Sequence, residues 1–260
     1  MAVTETMALL SRPNRIVFIG LGGIGSWLVE PVLRYFQPVC ATALFVDGDF
    51  IEAKNLARQS FAQSELRGTK ADCLVWRMRA MFPDHKLNPF SAYVIAANVE
   101  HFVKEGDVVF LSPDNHAVRR VVSDEAQKRK NIVVFTSGNE LYDGSCHVYI
   151  KTRGVELSKS FMARHPAEVD PPGPRQGCAE LIDMGAMQLI AVNFMLAAMT
   201  VMAMQLVYSY GVYRTKDEFW SEIPQEVYGD IRRLKVGTIM AGKPAKAERA
   251  RMEKEAVCSP

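Results

Sequence analysis

"RIVFIGLGGIGSWLVEPVLRYF", residues 15–36, decides the fold. Its first six residues are a short apolar run with β-branched Ile and Val, the composition of a buried strand. From Gly23 onward the apolar residues recur at helical spacing, and Gly20, Gly22 and Gly25 punctuate the change. A strand that turns directly into a helix through glycines is the opening of a βαβ unit. The same alternation continues outward. "ALFVD" (43–47) reads as a second strand, "GTKADCLVWRMRAMF" (68–82) as a helix and "FSAYVI" (90–95) as a strand. "DVVFLS" (107–112) is a strand, "HAVRRVVSDEAQKR" (116–129) a helix, and "NIVVFTSG" (131–138) closes the series. Apolar strands separated by amphipathic helices predict an α/β, Rossmann-like, doubly wound and mostly parallel sheet. After residue 138 the texture changes. "YDGSCHVYIKTRG" (142–154) alternates polar and apolar residues and carries Asp-Gly and Arg-Gly turns, so the sheet is expected to continue into antiparallel strands; "DPPGPRQG" (170–177) reads as a loop. The expected organisation is a single domain over 1–260, with halves at 1–138 and 139–260.

Bulk properties narrow the class. A chain of 260 residues, 48% hydrophobic and 23% charged, is ordinary for a globular protein that buries a large core. Its formal net charge of +2 gives no general case for nucleic acid as a partner. The charge is uneven: residues 232–260 carry eight Lys/Arg against three Asp/Glu, a mildly basic tail that reads as a solvated helix. Met184–Tyr213 is a run of thirty uncharged residues, long enough to span a bilayer. Gln188, Asn193, Thr200 and Gln205 interrupt it, which favours a buried helix and no membrane partner. Five scattered cysteines (40, 73, 146, 178, 258) form no CxxC pair, and the N-terminus has no signal-peptide pattern, so a reducing cytoplasm is expected.

Gly20, Gly22 and Gly25 fit GxGxxG after a strand and before a helix, where backbone N–H groups receive phosphate. Asp47 ends the next strand, where an acidic side chain takes ribose hydroxyls. The glycine spacing does not choose between NAD and ATP. The residues downstream of Asp47 do bear on the choice. "FVDGDFIEAKNLARQSF" (45–61) continues past Asp47 to Asn55, Arg58 and Gln59; Lys70 opens the next helix and "SPDN" (112–115) ends another strand. Strand carboxyl ends converge on one crevice in a doubly wound sheet, so these groups would meet there. Two cations suit a triphosphate, and Asp114 suits Mg²⁺, a hard cation that takes oxygen ligands. Taken singly, Arg58 and Lys70 could be surface charges, and Asp114-Asn115 a helix cap.

The series GLGGIGS, VDGDFIEAKNLARQ, GTK and SPDN resembles the adenylation domain of the ThiF/MoeB/HesA and ubiquitin-activating enzyme family, over residues 15–138 and more weakly to about 210. The resemblance implies that Gly20, Gly22, Gly23 and Gly25 cradle the nucleotide phosphates and that Asp47 holds the ribose. It implies that Asn55, Arg58 and Lys70 bind phosphates, that Gln59 supports them, and that Asp114 coordinates Mg²⁺. The implied chemistry is attack of a C-terminal carboxylate on the α-phosphate of ATP, giving an acyl adenylate and pyrophosphate. The implied partner is a separate small ubiquitin-like or sulfur-carrier protein with a C-terminal Gly, bound by the 139–260 half; a peptide substrate and a homodimer are also compatible with it. Two other readings stay open: a non-catalytic partner of the same fold that binds nucleotide or carrier, and an NAD-dependent oxidoreductase, which leaves Arg58, Lys70 and Asp114 unexplained.

Cys178 precedes the apolar helix. The resemblance implies that it can take the acyl group as a thioester, and a helix N-terminus would lower its pKa; the other reading is a small buried hydrophobe. Cys146 beside His147 looks like a reactive pair, but neighbours on a strand point to opposite faces. The sequence departs from the family pattern in two respects. The N-terminal helix whose Arg reaches the nucleotide in many relatives is missing or short, leaving Arg12 or Arg15 as substitutes, and the zinc-binding CxxC pairs of many relatives are absent.

Overall fold

The computed structural model describes residues 12–140, 142–166, 190–210 and 224–241. Strands β1 (Arg15–Ile19), β2 (Thr42–Val46), β3 (Lys86–Phe90), β4 (Asp107–Leu111) and β5 (Ile132–Asn139) form a parallel half-sheet. Strands β6 (Asp143–Thr152), β7 (Val155–Glu156), β8 (Pro224–Asp230) and β9 (Lys235–Met240) extend it with antiparallel pairings. The order is β3-β2-β1-β4-β5-β6-β8-β9, with β7 paired to β6. Between β1 and β4 the direction of winding reverses, which opens a crevice at the carboxyl ends of those strands.

Alternation along the strands fills both faces. Ile16, Phe18, Phe45, Phe110 and Phe135 point to one side, against α1 (Gly25–Phe36), α2 (Lys70–Met81) and α6 (Ile190–Gln205). Val17, Ile19, Leu44, Val109 and Val134 point to the other, against α3 (Val99–Phe102) and α4 (His116–Gln127), on which the short α5 (Phe161–Arg164) packs. A row of rings crosses four strands in register: Phe45 and Phe18 are 5.2 Å apart, Phe18 and Phe110 5.5 Å, Phe110 and Phe135 5.1 Å. Cross-strand aromatic pairs of this kind pin the register. Each of these rings is almost fully buried, so a one-residue slip would expose all four.

Three expectations need correction or sharpening. The third strand is Lys86–Phe90, not 90–95. It is an edge strand with Leu87 as its buried residue, so it needs few apolar side chains and tolerates Pro89. The more apolar run after it is a loop whose Val94 packs beneath the sheet. The uncharged run contributes α6, which lies on β5, β6, β8 and α1. It is apolar enough to cross a membrane by composition, but half of that stretch is buried here. Phe194 and Met202 are about half exposed, so among the described residues α6 is packed chiefly on one side. Arg15, a proposed substitute for an N-terminal arginine, is at the amino end of β1 and is bound to Asp107 at 2.5 Å, away from the crevice.

Candidate functional site

Two close approaches force the glycine turn. Gly20 has φ +85°, and a Cβ there would meet the Ser112 and Pro113 backbone at 2.7 Å; a Cβ on Gly25 would overlap the Gly20 carbonyl. Gly22 faces open space, with Gln59 Nε2 the nearest atom at 3.8 Å from a Cβ position. The turn therefore leaves a cradle that a side chain would fill, at the N-terminus of a twelve-residue helix. Gly20 N donates to Val46 O and Ser112 N to Ile19 O, which locks the turn between the ends of β2 and β4.

Asp47 comes directly after β2. Its Oδ2 accepts from Leu21 N at 2.6 Å and its Oδ1 from Asp49 N at 2.8 Å. Each oxygen keeps a second lone pair for a ribose hydroxyl. Burial pushes this carboxyl above its ordinary value, against the Lys70 charge and both N–H donors. Lys70, almost completely buried at the start of α2, donates to Asp49 Oδ2 at 2.6 Å and lies 3.9 Å from Asp47. Burial raises the Asp49 carboxyl too, but the Lys70 contact and the Tyr93 hydroxyl more than offset it, and its pKa is lowered. Asp49 and Tyr93 are additions to the expected set. Asp49 was visible two residues past Asp47; Tyr93, 2.7 Å away through its hydroxyl, belongs to the apolar loop after β3, which has the composition of a strand. The Tyr93 phenol is pushed up to about 12, first by the Asp49 hydrogen bond and charge, and further by Asp47 and Asp114.

Asn55 closes a short 3₁₀ turn (Ala53–Asn55) by accepting from Glu52 N at 2.9 Å, leaving its amide group to meet a ligand. Arg58 and Gln59 come next, both buried, and Gln59 Oε1 has no hydrogen-bond partner among the described residues. The Arg58 carbonyl receives Trp27 Nε1 at 3.3 Å and Asn193 Nδ2 at 3.0 Å. Asn193 is a polar residue on apolar α6, visible in the sequence only as an interruption. It also accepts from Asn139 and lies 2.8 Å from a Cβ position on Gly23. Asn115 caps α4 by accepting from Val118 N, so the cap is Asn115 and the Asp114 side chain stays in the crevice wall.

Gly20, Gly22, Gly23, Asp47, Asn55, Arg58, Gln59, Lys70 and Asp114 thus line one cleft of about 1200 Å³; Gly25 stands behind the turn. The same cleft runs on past β5 to Arg119, Ser145, Phe161, His165 and Tyr228. Arg119 donates to Pro113 O at 3.1 Å and packs over Gly138 and Phe161. Glu226 is pushed down to about 2, first by the His165 contact at 3.5 Å. Cys146 and His147 are both buried on opposite faces and form no reactive pair: Cys146 belongs to the core under α6, and His147 packs on Phe161. Cys178 lies outside the described residues.

Fold and cleft together define a Rossmann-like domain with an open glycine turn, a carboxylate at a strand end and buried cations at one topological switch point. The chain belongs to the ThiF family, whose model matches residues 4–223. It is 34% identical over 113 residues to the SAMP-activating enzyme E1 of Haloferax volcanii, covering 43% of this chain and 40% of that protein. It is 32% identical over 117 residues to the adenylyltransferase and sulfurtransferase uba4 of Aspergillus fumigatus, covering 44% of this chain and 23% of that one. The chain therefore spans well under half the length of these relatives. The crystal structure of E. coli MccB with MccA-N7isoASN superposes with a TM-score of 0.66 at 16% identity, over 94% of this chain and 67% of that one.

Proposed function

We propose that the chain is an ATP-dependent adenylyltransferase acting on the C-terminal carboxylate of a small ubiquitin-like or sulfur-carrier protein. The observation that carries this is the meeting, in one cleft, of an open glycine cradle, Asp47, Arg58, Gln59, Lys70 and Asp114, with a continuation of that cleft past β5. The names of its relatives, an E1 and an adenylyltransferase, support the same reading, as do MccB structures with ATP and with N-formylated MccA.

In this reading the carrier carboxylate, already ionised at neutral pH, attacks the α-phosphorus. The bond to the β-phosphate breaks and pyrophosphate leaves. The N–H groups of the glycine turn and the Lys70 and Arg58 cations hold the charge that moves onto the leaving group, so catalysis is positioning plus charge neutralisation. Asp114, on the wall of the same cleft, offers a hard oxygen donor that fits Mg²⁺. Among the described residues no three His, Cys, Asp or Glu groups form a ready cage, so in this reading one or two carboxylates and the substrate phosphates would hold the ion. Such an ion would neutralise phosphate charge. Transfer of the acyl group to Cys178 is a second step in the proposal, with the adenylate carbonyl attacked by thiolate and AMP leaving.

Carrier-dependent ATP–pyrophosphate exchange tests the first step. Exchange that requires the carrier and is lost in Asp114→Ala is expected; no exchange with the true carrier would reduce the chain to a non-catalytic binder. A thiol-sensitive carrier adduct on a denaturing gel, lost in Cys178→Ala, is expected for the second step, and an adduct that survives the substitution removes Cys178 from it.

A further inference from the structure

We propose that Tyr93 is the stacking platform for the nucleobase and that it makes the site purine-selective; this rests on the proposed nucleotide site. In a doubly wound sheet the phosphates lie at the glycine turn and the ribose at the carboxylate ending β2. The base must then lie beyond Asp47, on the β3 side. Tyr93 is there, three residues past the end of β3 and on the wall of the cleft. Its ring lies on the backbone of Gly48, the residue after Asp47: a Cβ on Gly48 would come within 2.7 Å of the ring carbons. Any side chain at 48 would lift the ring away.

The ring is fixed at its far end as well, because the hydroxyl donates to Asp49 Oδ1 at 2.7 Å, and Asp49 in turn holds Lys70 at 2.6 Å. A tyrosine pinned by its hydroxyl and by the strand end beneath it would normally be covered. This one is 66% exposed. Gly48 lies against the ring, and the ring also lines the cleft, the combination of support and access that a stacking surface requires. Ala92 and Val94 on either side also line the cleft and give the pocket apolar flanks. Stacking reads area rather than hydrogen-bond pattern, so it favours purines over pyrimidines without naming one purine.

The test is displacement of a fluorescent ATP analogue by ATP, GTP and UTP, with the full chain carrying Tyr93, Tyr93→Ala, Tyr93→Trp or Tyr93→Phe. Removing a stacking ring should weaken ATP and GTP on the order of tenfold. UTP should weaken less, so the purine-to-pyrimidine ratio falls in Tyr93→Ala. Tyr93→Trp should keep the ratio, and Tyr93→Phe should keep it while losing the tie to Asp49. A merely structural tyrosine would move all nucleotides together. An unchanged ratio in Tyr93→Ala, or tighter ATP binding there, overturns the platform and makes the ring an obstruction. No displacement by any triphosphate in the parent chain would overturn the nucleotide site itself.

Discussion

Lys70 shows how much of the site is decided one side chain at a time. A buried ammonium needs a compensating carboxylate, and Lys70 has two at unequal range, Asp49 at 2.6 Å and Asp47 at 3.9 Å. Asp49 is half exposed, so this pair adds less to stability than a sealed one would. Asp49→Asn is expected to cost about 1 kcal/mol in urea unfolding. Lys70→Ala, which takes away a cation proposed to face the phosphates, is expected to lower ATP–pyrophosphate exchange on the order of a hundredfold or more. A Lys70→Ala enzyme with full exchange would place phosphate neutralisation elsewhere. At this scale the glycine turn and the run from Asp47 to Lys70 were legible, because their spacing along the chain carries their meaning. Tyr93 was not: its partner Asp49 is 44 residues away, and only folding puts them together.

Among the elements, those with two buried sides or one clean stripe were legible, and those whose role depends on neighbours were not. β1 and β4 read correctly because central parallel strands are apolar beyond their first residues, here Arg15 and Asp107. β3 did not, because an edge strand with Asn88 and Pro89 looks like a loop while the apolar loop after it looks like a strand. The thirty uncharged residues announced burial but not its one-sidedness, nor the work of the polar residues within α6. Thr200 Oγ1 meets Ser137 Oγ at 2.6 Å, and Asn193 joins Arg58, Asn139 and the glycine turn. α6 is thus tied to the cleft by hydrogen bonds as well as by packing. Asn193→Leu keeps the volume and removes the donor; it is expected to destabilise the protein by about 1–3 kcal/mol, because buried polar partners lose their hydrogen bonds. Exchange should fall several-fold in the same variant, since Arg58 and the turn lose a shared anchor. Unchanged unfolding and exchange in Asn193→Leu would mean that Asn193 is no anchor for Arg58.

For the whole molecule, the decisive feature is that one sheet carries both halves of the cleft, joined where parallel β5 meets antiparallel β6. The parallel half arises from local βαβ units. The antiparallel half depends on β6 pairing with β8, which sets His147 opposite Glu226 across nearly eighty residues, and nothing local in the sequence predicts that partner. His147 makes this joint sensitive to acid. Gln225 presents Oε1 to Lys159 N at 2.8 Å and Nε2 to Lys159 O at 3.1 Å, so its orientation is fixed and Nε2 must donate to His147 Nε2. The imidazole proton then sits on Nδ1, which has no partner among the described residues. A second proton on the ring would set N–H against N–H beside His165 and Arg164, with Glu226 the one acid close by among the described residues. Burial, and then the His165 charge, push the His147 pKa down to about 4. Because the folded value lies below the ordinary 6.5, the unfolded chain takes up the proton first. The stabilisation is complete above about pH 6.5 and is lost as pH falls toward 4, at no more than about 1.4 kcal/mol per pH unit. Urea unfolding at pH 7 and pH 4.5 checks this: the parent chain should lose roughly 2 kcal/mol more than His147→Gln over that interval. Equal losses in the two proteins would place the acid sensitivity in other groups and leave His147 with a packing role alone.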